Sequence, residues 1–148
     1  MLKNVPPIIN PRLLWILSSM GHGDDLDLVD RNFPAHAVAD ATVTGEVVHL
    51  DGVNATEAAR DILSLLPLDT FVETPVVRME VVGDPAAVLD VHEEMQRVVE
   101  LAEGRPVALG TAERHAFYAA ARRAYAVVQT TEDRPYGCFL LKKGVIFD

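Results

Sequence analysis

Leu13, Leu14, Ile16, Leu17 and Met20 recur at the spacing of one helical face, with Pro11 suited to a first turn and Gly21 to a stop. This predicts a helix over residues 11–20. Leu26-Asp27-Leu28-Val29-Asp30 alternates apolar and acidic positions, the period of a short strand with one buried face. In the stretch from Ala41 to Leu50, Gly45 interrupts the run, leaving a strand near 46–50. Asn54 and Glu57 stand at capping spacing before Ala58, Ala59, Ile62, Leu63, Leu65 and Leu66, and Pro67 ends that helix. Residues 75–82 form a β-rich run, and 85–102 returns to helical period through Val88, Val91, Met95, Val98 and Val99. Thr111 is positioned to cap a helix over 112–123, followed by a strand over 124–128 and the closing segment Phe139-Leu140-Leu141. The alternation predicts an α/β fold: a single domain with a mixed β-sheet flanked by helices.

Length and composition agree with that prediction. The 148 residues are 49% hydrophobic and 24% charged, enough for one self-supporting core, and neither repeats nor a low-complexity linker suggest a second domain. Thirteen Lys and Arg against 22 Asp and Glu leave a formal charge of −9, a field that repels nucleic-acid phosphates and anionic lipid heads. Neither nucleic acid nor membrane is an expected partner. The N-terminus, broken by Asn4, Pro6, Pro7, Asn10, Pro11 and Arg12, reads as mature sequence. A single cysteine, Cys138, excludes an intramolecular disulfide and suits a reducing, cytoplasmic setting.

Three polar groupings fall at element boundaries: Gly21-His22-Gly23-Asp24 with Asp30, Glu113-Arg114-His115, and Tyr136-Gly137-Cys138. Such connections can converge at one end of a sheet, and convergence is the expectation here. An imidazole such as that of His22 can both donate and accept a proton within one reaction cycle, or it simply hydrogen-bonds its loop. Asp30 can accept from two neighbouring hydroxyls, or act only as a turn former. Arg114 offers a fork of donors to a polyhydroxylated ligand, or a surface ion pair. Tyr136 can bond a sugar oxygen and pack a ring on an apolar face, or be a half-buried strand residue. His36, after Phe33-Pro34-Ala35, is expected to support the site from behind.

Other chemistries have weaker support. His22, Asp24, Asp30 and His36 are acceptable metal ligands by type, but their spacing matches no metal signature, so no metal is expected. Cys138 reads as a packing residue rather than a nucleophile, and Lys142 and Lys143 as a solvated end or subunit contact. No glycine-rich phosphate loop or dinucleotide fingerprint occurs.

Taken in order, Met20-Gly21-His22-Gly23-Asp24, Asp30, Phe33-Pro34-Ala35-His36, Ala116-Phe117-Tyr118, Tyr136-Gly137 and Leu140-Leu141-Lys142-Lys143-Gly144-Val145 resemble the L-fucose mutarotase family, related to D-ribose pyranase. The resemblance spans nearly the whole chain. It implies a ribose-pyranase/fucose-mutarotase-like subunit that interconverts the α and β anomers of L-fucose or a similar pyranose. It also implies no cofactor and a ring-shaped homo-oligomer, commonly a decamer. His22 would be the general acid, with Asp30, Arg114 and the Tyr136-Gly137-Cys138 segment contacting the monosaccharide. Tyr136 or a bound water would take the opposing proton. The family usually carries asparagine where this chain has Cys138, and a thiol is the poorer hydrogen-bond partner. The alternative is a non-catalytic sugar-binding accessory protein of an uptake pathway, which would keep Asp30 and Arg114 without depending on His22.

Overall fold

A computed structural model describes residues 1–148. In chain order the elements are α1 (Pro11–Ser19), β1 (Asp25–Val29), α2 (Ala35–Ala39), β2 (Val47–Leu50), α3 (Ala55–Leu63), β3 (Val76–Met79), α4 (Asp90–Glu103), β4 (Leu109–Ala112), α5 (Arg114–Arg122), β5 (Ala126–Thr130) and β6 (Phe139–Lys142). The strands form one sheet in the order β2-β5-β1-β6-β3-β4. Every pairing is parallel except those of β6, which lies antiparallel between β1 and β3. The carboxyl ends of the other five strands therefore point to one edge of the sheet, and β6 runs back from that edge.

Local chemistry sets the helix starts. The Asn10 side chain accepts from the Leu13 N–H at 2.8 Å, and Asn54 and Glu57 form a reciprocal capping box on α3. α5 starts later than the sequence suggests, because Glu113 rather than Thr111 is its cap, accepting from the N–H groups of His115 and Ala116. Thr111 belongs instead to β4. That strand and the five-residue α2 are the two elements the hydrophobic pattern does not announce.

Helices cover both sheet faces. Leu13, Ile16, Ile62, Met95 and Val99 from α1, α3 and α4 pack on Leu26, Leu28, Phe139 and Leu141. On the other face Val38, Phe117 and Ala121 from α2 and α5 pack on Val29, Val127 and Leu140. The second layer corrects the expectation of one wet face for β1. Asp27, paired in register with Val127 and Leu140, is fully buried, and neither carboxyl oxygen has a hydrogen-bond partner. Burial first, then repulsion from Asp25, pushes its pKa well above the ordinary range.

Candidate active site

Four connections meet at the carboxyl edge of the sheet: Asp30 follows β1, Val82 lies beyond β3, Arg114 opens α5 after β4, and Tyr136 precedes β6. Together with Phe33 and Tyr118 they line an open cavity of about 280 Å³. Clefts outside the carboxyl ends of strands are where open α/β sheets bind ligands. Asp30 lies at the cavity floor, 4% exposed. Its Oδ1 accepts from the Asn32 N–H at 3.0 Å. Burial raises its pKa, opposed by hydrogen bonds from the Cys138 thiol and from the N–H groups of Asn32, Gly137 and Phe33. The Arg114 Nε–H donates to the Tyr118 hydroxyl at 3.1 Å, which aligns an exposed guanidinium with an aromatic wall.

Tyr136 is held in an unusual backbone conformation, with φ of 61°. A non-glycine residue in that region is strained and persists only where its surroundings over-determine it. Here they do. The Tyr136 hydroxyl accepts from the Val82 N–H at 3.1 Å, leaving its own hydrogen and a lone pair for a ligand. From behind, the buried His92 accepts the Leu89 N–H at Nδ1 and donates from Nε2 to the Tyr136 carbonyl, each at 3.1 Å. Burial, and to a lesser degree Arg78, holds His92 below the ordinary histidine range against the raising effect of that carbonyl, so it serves as a neutral brace.

Beneath the turn, Glu132 is buried and accepts from the Arg134 side chain and from the backbone N–H groups of Arg134 and Ala55. A Cβ on Gly137 would lie 2.8 Å from the Glu132 Cγ. Because the Glu132 carboxylate is pinned, that neighbour cannot give way cheaply. Gly137→Ala is therefore expected to cost about 1–3 kcal/mol as overpacking does, read as a lowered thermal midpoint. Sequence reasoning missed both supports. His92 is detectable as a polar residue beside Val91, Met95 and Val99 on the apolar face of α4, whereas Glu132 carries no local signal.

The expected convergence of all three polar groupings is corrected by the structure. His22 precedes β1 and Asp30 follows it, and a five-residue strand spans about 16 Å, longer than one sugar ring. His22 lies at the opposite edge, in a cavity of about 480 Å³ with Leu17, Leu65, Pro67 and Lys143. There its Nε2 meets the Asp69 Oδ1 at 3.0 Å. Lys142 and Lys143, expected as a solvated end or subunit contact, are half-buried and hold this loop. Lys143 Nζ donates to the Leu17 and Met20 carbonyls at the end of α1, and Lys142 Nζ to the Gly23 carbonyl and Asp25. His36 is also corrected as a support of the cavity: it is exposed on α2, its ring 5.5 Å from that of His49. The metal reading's His22, Asp24, Asp30 and His36 are accordingly dispersed.

A family model described as the RbsD / FucU transport protein family matches residues 3–146. The L-fucose mutarotase of Histophilus somni is 39% identical over 145 residues, covering 98% of this chain and 97% of that protein. The human fucose mutarotase is 40% identical over 148 residues, covering 98% and 94% respectively. Among solved structures, the fucose mutarotase of Streptococcus pneumoniae in complex with L-fucose superposes with a TM-score of 0.88. It is 34% identical, covering 99% of this chain and all of that one.

Proposed function

The chain belongs to the RbsD / FucU family, and from that premise we propose that it is a sugar mutarotase acting on L-fucose or a similar pyranose. The observation that carries this reading is the cavity in which Asp30, Arg114 and Tyr136 come together. A buried carboxylate and a guanidinium supply acceptors and donors for adjacent hydroxyls, while Phe33, Tyr118 and Tyr136 offer rings to the apolar face of a sugar. Anomer exchange itself needs only proton transfers. The imidazolium of His22 gives a proton to the ring oxygen, the anomeric hydroxyl passes its proton through the Tyr136 hydroxyl, which releases its own in turn, or through a water it holds, out to solvent, and the bond between C1 and the ring oxygen breaks. Rotation about the bond from C1 to C2 turns the other carbonyl face inward. Closure returns both protons, so no oxidant, reductant or cofactor enters the balance.

Because one chain separates His22 from the Asp30 cavity, this reading requires a homo-oligomer in which one copy presents His22 to a neighbour's cavity. The surface around His22 supports such an assembly. Phe71 packs edge-on against the imidazole at 4.8 Å and stacks on Phe147 at 6.4 Å. Phe71, Ile146 and Phe147 are all more than two-thirds exposed, an apolar cluster of the kind that marks protein contacts. A closed ring, ten copies in the form the sequence resemblance implies, would bury the cluster at every interface. No helix is long and apolar enough to cross a membrane. The lone buried thiol accords with a reducing, cytoplasmic compartment.

Saturation-transfer NMR on equilibrated L-fucose tests the reaction directly. Added protein is expected to speed exchange between the α and β signals, and His22→Gln to slow it by about 10²–10⁴-fold, the usual worth of one acid–base group. The separation of His22 from the cavity also favours a second reading, a non-catalytic sugar-binding accessory protein. That reading is upheld if sugar signals broaden while their exchange rate stays at the uncatalysed value. With Cys138 engaged to Asp30 where the family has an amide, preference among fucose, ribose and galactose is best compared in the same assay.

A further inference from the structure

We propose that the cavity between β4 and α4 is a second binding site, one that takes a small organic oxyanion: a carboxylate or a phosphate monoester on a hydroxylated carbon chain. Its volume is about 350 Å³, within the range of small-molecule sites, and Arg78, His92, Gln96, Arg97 and Thr111 are among the residues that line it. None of these belongs to the cavity of Asp30, Arg114 and Tyr136. Arg78 stands on β3, in register with Thr111 of β4 on one side and Phe139 of β6 on the other, so its side chain leaves the sheet on the face that α4 covers. His92 and Gln96 are one turn apart on α4, as are Glu93 and Arg97, which brings all four to one flank of the helix.

Arg78 carries the proposal. It is 5% exposed, and none of the chain's ion pairs includes it. Its Nη2 donates to the Ala87 carbonyl at 3.1 Å, while its Nη1 is buried with no partner. Burial pulls the pKa of Arg78 down, opposed by Glu80, yet a guanidinium keeps its proton in a protein. Glu80 is itself engaged, its Oε1 accepting from the Thr111 hydroxyl at 3.0 Å. A buried charge without a counter-ion is costly to the fold, and a water supplies an acceptor but no charge. An oxyanion supplies both. Because the positive charge is delocalised over the guanidinium, contact along the part of Arg78 that lines the cavity also neutralises what the enclosed Nη1 carries.

The remaining walls set the class of ligand. Arg97, exposed at the rim, is a second cation for the same acidic group. His92 has no proton to offer: its Nδ1 accepts the Leu89 N–H and its Nε2 donates to the Tyr136 carbonyl, so the ring is only a wall. Gln96 donates from Nε2 to the Val107 carbonyl, which leaves its side-chain oxygen to accept from a ligand hydroxyl. Glu93, exposed beside Arg97, is a further acceptor for hydroxyls and disfavours a ligand of high negative charge. Val88 and Leu109 present apolar surface to a carbon skeleton. Two arginines rule against a metal cation, and the acceptors against a bare anion. One acidic group on a hydroxylated chain satisfies both kinds of wall.

Isothermal titration at low ionic strength with glycerol 3-phosphate and with glycerate tests the site, glycerol being the neutral counterpart. Saturable binding of at least one acid, and none of glycerol, is expected. The tighter of the two acids identifies the acidic group as phosphate or carboxylate. Arg78→Met is expected to weaken binding by roughly 10–100-fold, the scale of a hydrogen bond to a charged group, and Arg97→Gln by less. Arg114→Gln, in the other cavity, should leave it unchanged. Without ligand, Arg78→Met should melt at or above the midpoint of the unaltered protein, because it removes an uncompensated buried charge. NMR on ¹⁵N-arginine-labelled unaltered protein needs no substitution at the site: the Arg78 Nε–H signal, assigned by through-bond correlation, should shift as the acid is added and saturate at the calorimetric Kd. No saturable binding of either acid, or an Arg78 signal that stays still while an acid binds, overturns the proposal. So does binding lost in Arg114→Gln and kept in Arg78→Met, which would put the anion in the sugar cavity. An Arg78→Met midpoint well below that of the unaltered protein also overturns it, by making the guanidinium a part of the fold.

Discussion

A one-to-one co-assembly of His22→Gln and Asp30→Asn subunits, each inert alone, is expected to recover roughly a quarter of unaltered anomer exchange if each site draws on two copies. The figure follows from random assembly. A working site needs its imidazole from an Asp30→Asn copy and its carboxylate from a His22→Gln copy, each chosen half the time. The geometric premise is that β1 lies between the two groups, so no side-chain rotation in one subunit brings them to the same ring. Were His22 and Asp30 to serve one site within a single chain, every site would contain at least one lesion, and the mixture would stay at the level of its parents. Loss of both groups from one chain, co-assembled with unaltered subunits, supplies the calibration. It also leaves a quarter of sites intact in the two-copy arrangement, against half in the one-copy arrangement. The two mixtures thus separate the alternatives by different ratios, not only by presence or absence of activity.

The same separation shows which part of the molecule a reader of the sequence can reach. Elements with a long apolar period, such as α1, α3 and α4, are evident from spacing because burial selects one face over several turns. α2 has five residues, too few for a period, and β4 has four with Gly110 among them, so Thr111 beside it reads as a cap. The residue types of the cavity are equally evident, since Asp30, Arg114 and Tyr136 all sit at element boundaries that the sheet order gathers on one edge. What spacing along the chain cannot reveal is which edge a boundary belongs to. His22 lies eight positions from Asp30, and only the strand between them puts the two at opposite ends. Asp27 shows the same limit: its alternation with leucines suggests a wet face until α2 and α5 cover it. Lys142 and Lys143 look solvated for a related reason, because their partners at Leu17, Met20 and Gly23 are more than a hundred residues away.

Glu132→Gln is expected to destabilise the protein by about 3 kcal/mol at neutral pH, the scale for removing one partner of a buried pair. Glu132 is 1% exposed, and its two oxygens accept from Arg134 Nε at 2.9 Å, Arg134 Nη2 at 3.0 Å, and the N–H groups of Arg134 and Ala55 at 3.0 and 3.1 Å. Arg134 Nη1 continues to Glu94 at 2.8 Å, tying the turn to α4. A glutamine can keep the shape but supplies only one accepting oxygen and no charge, leaving the guanidinium half matched. In a domain of this size the loss corresponds to a midpoint lowered by about 6–12 °C. The pH dependence follows from direction. Burial raises the Glu132 pKa, but Arg134 and the Ala55 N–H outweigh it, so the folded value lies below the ordinary 4.5. A depressed carboxyl contributes stability that is present above its unfolded value and lost as pH falls through its folded one. The gap between unaltered and Glu132→Gln melting curves should therefore be widest near neutrality and close in acid. Anomer exchange should fall in parallel even where the variant is fully folded, because Glu132 packs under Gly137 and thereby sets the strained Tyr136 turn at the cavity wall. A variant that melts within about 2 °C of the unaltered protein at neutral pH, less than a 1 kcal/mol loss would produce, would mean that the turn holds itself without the buried pair.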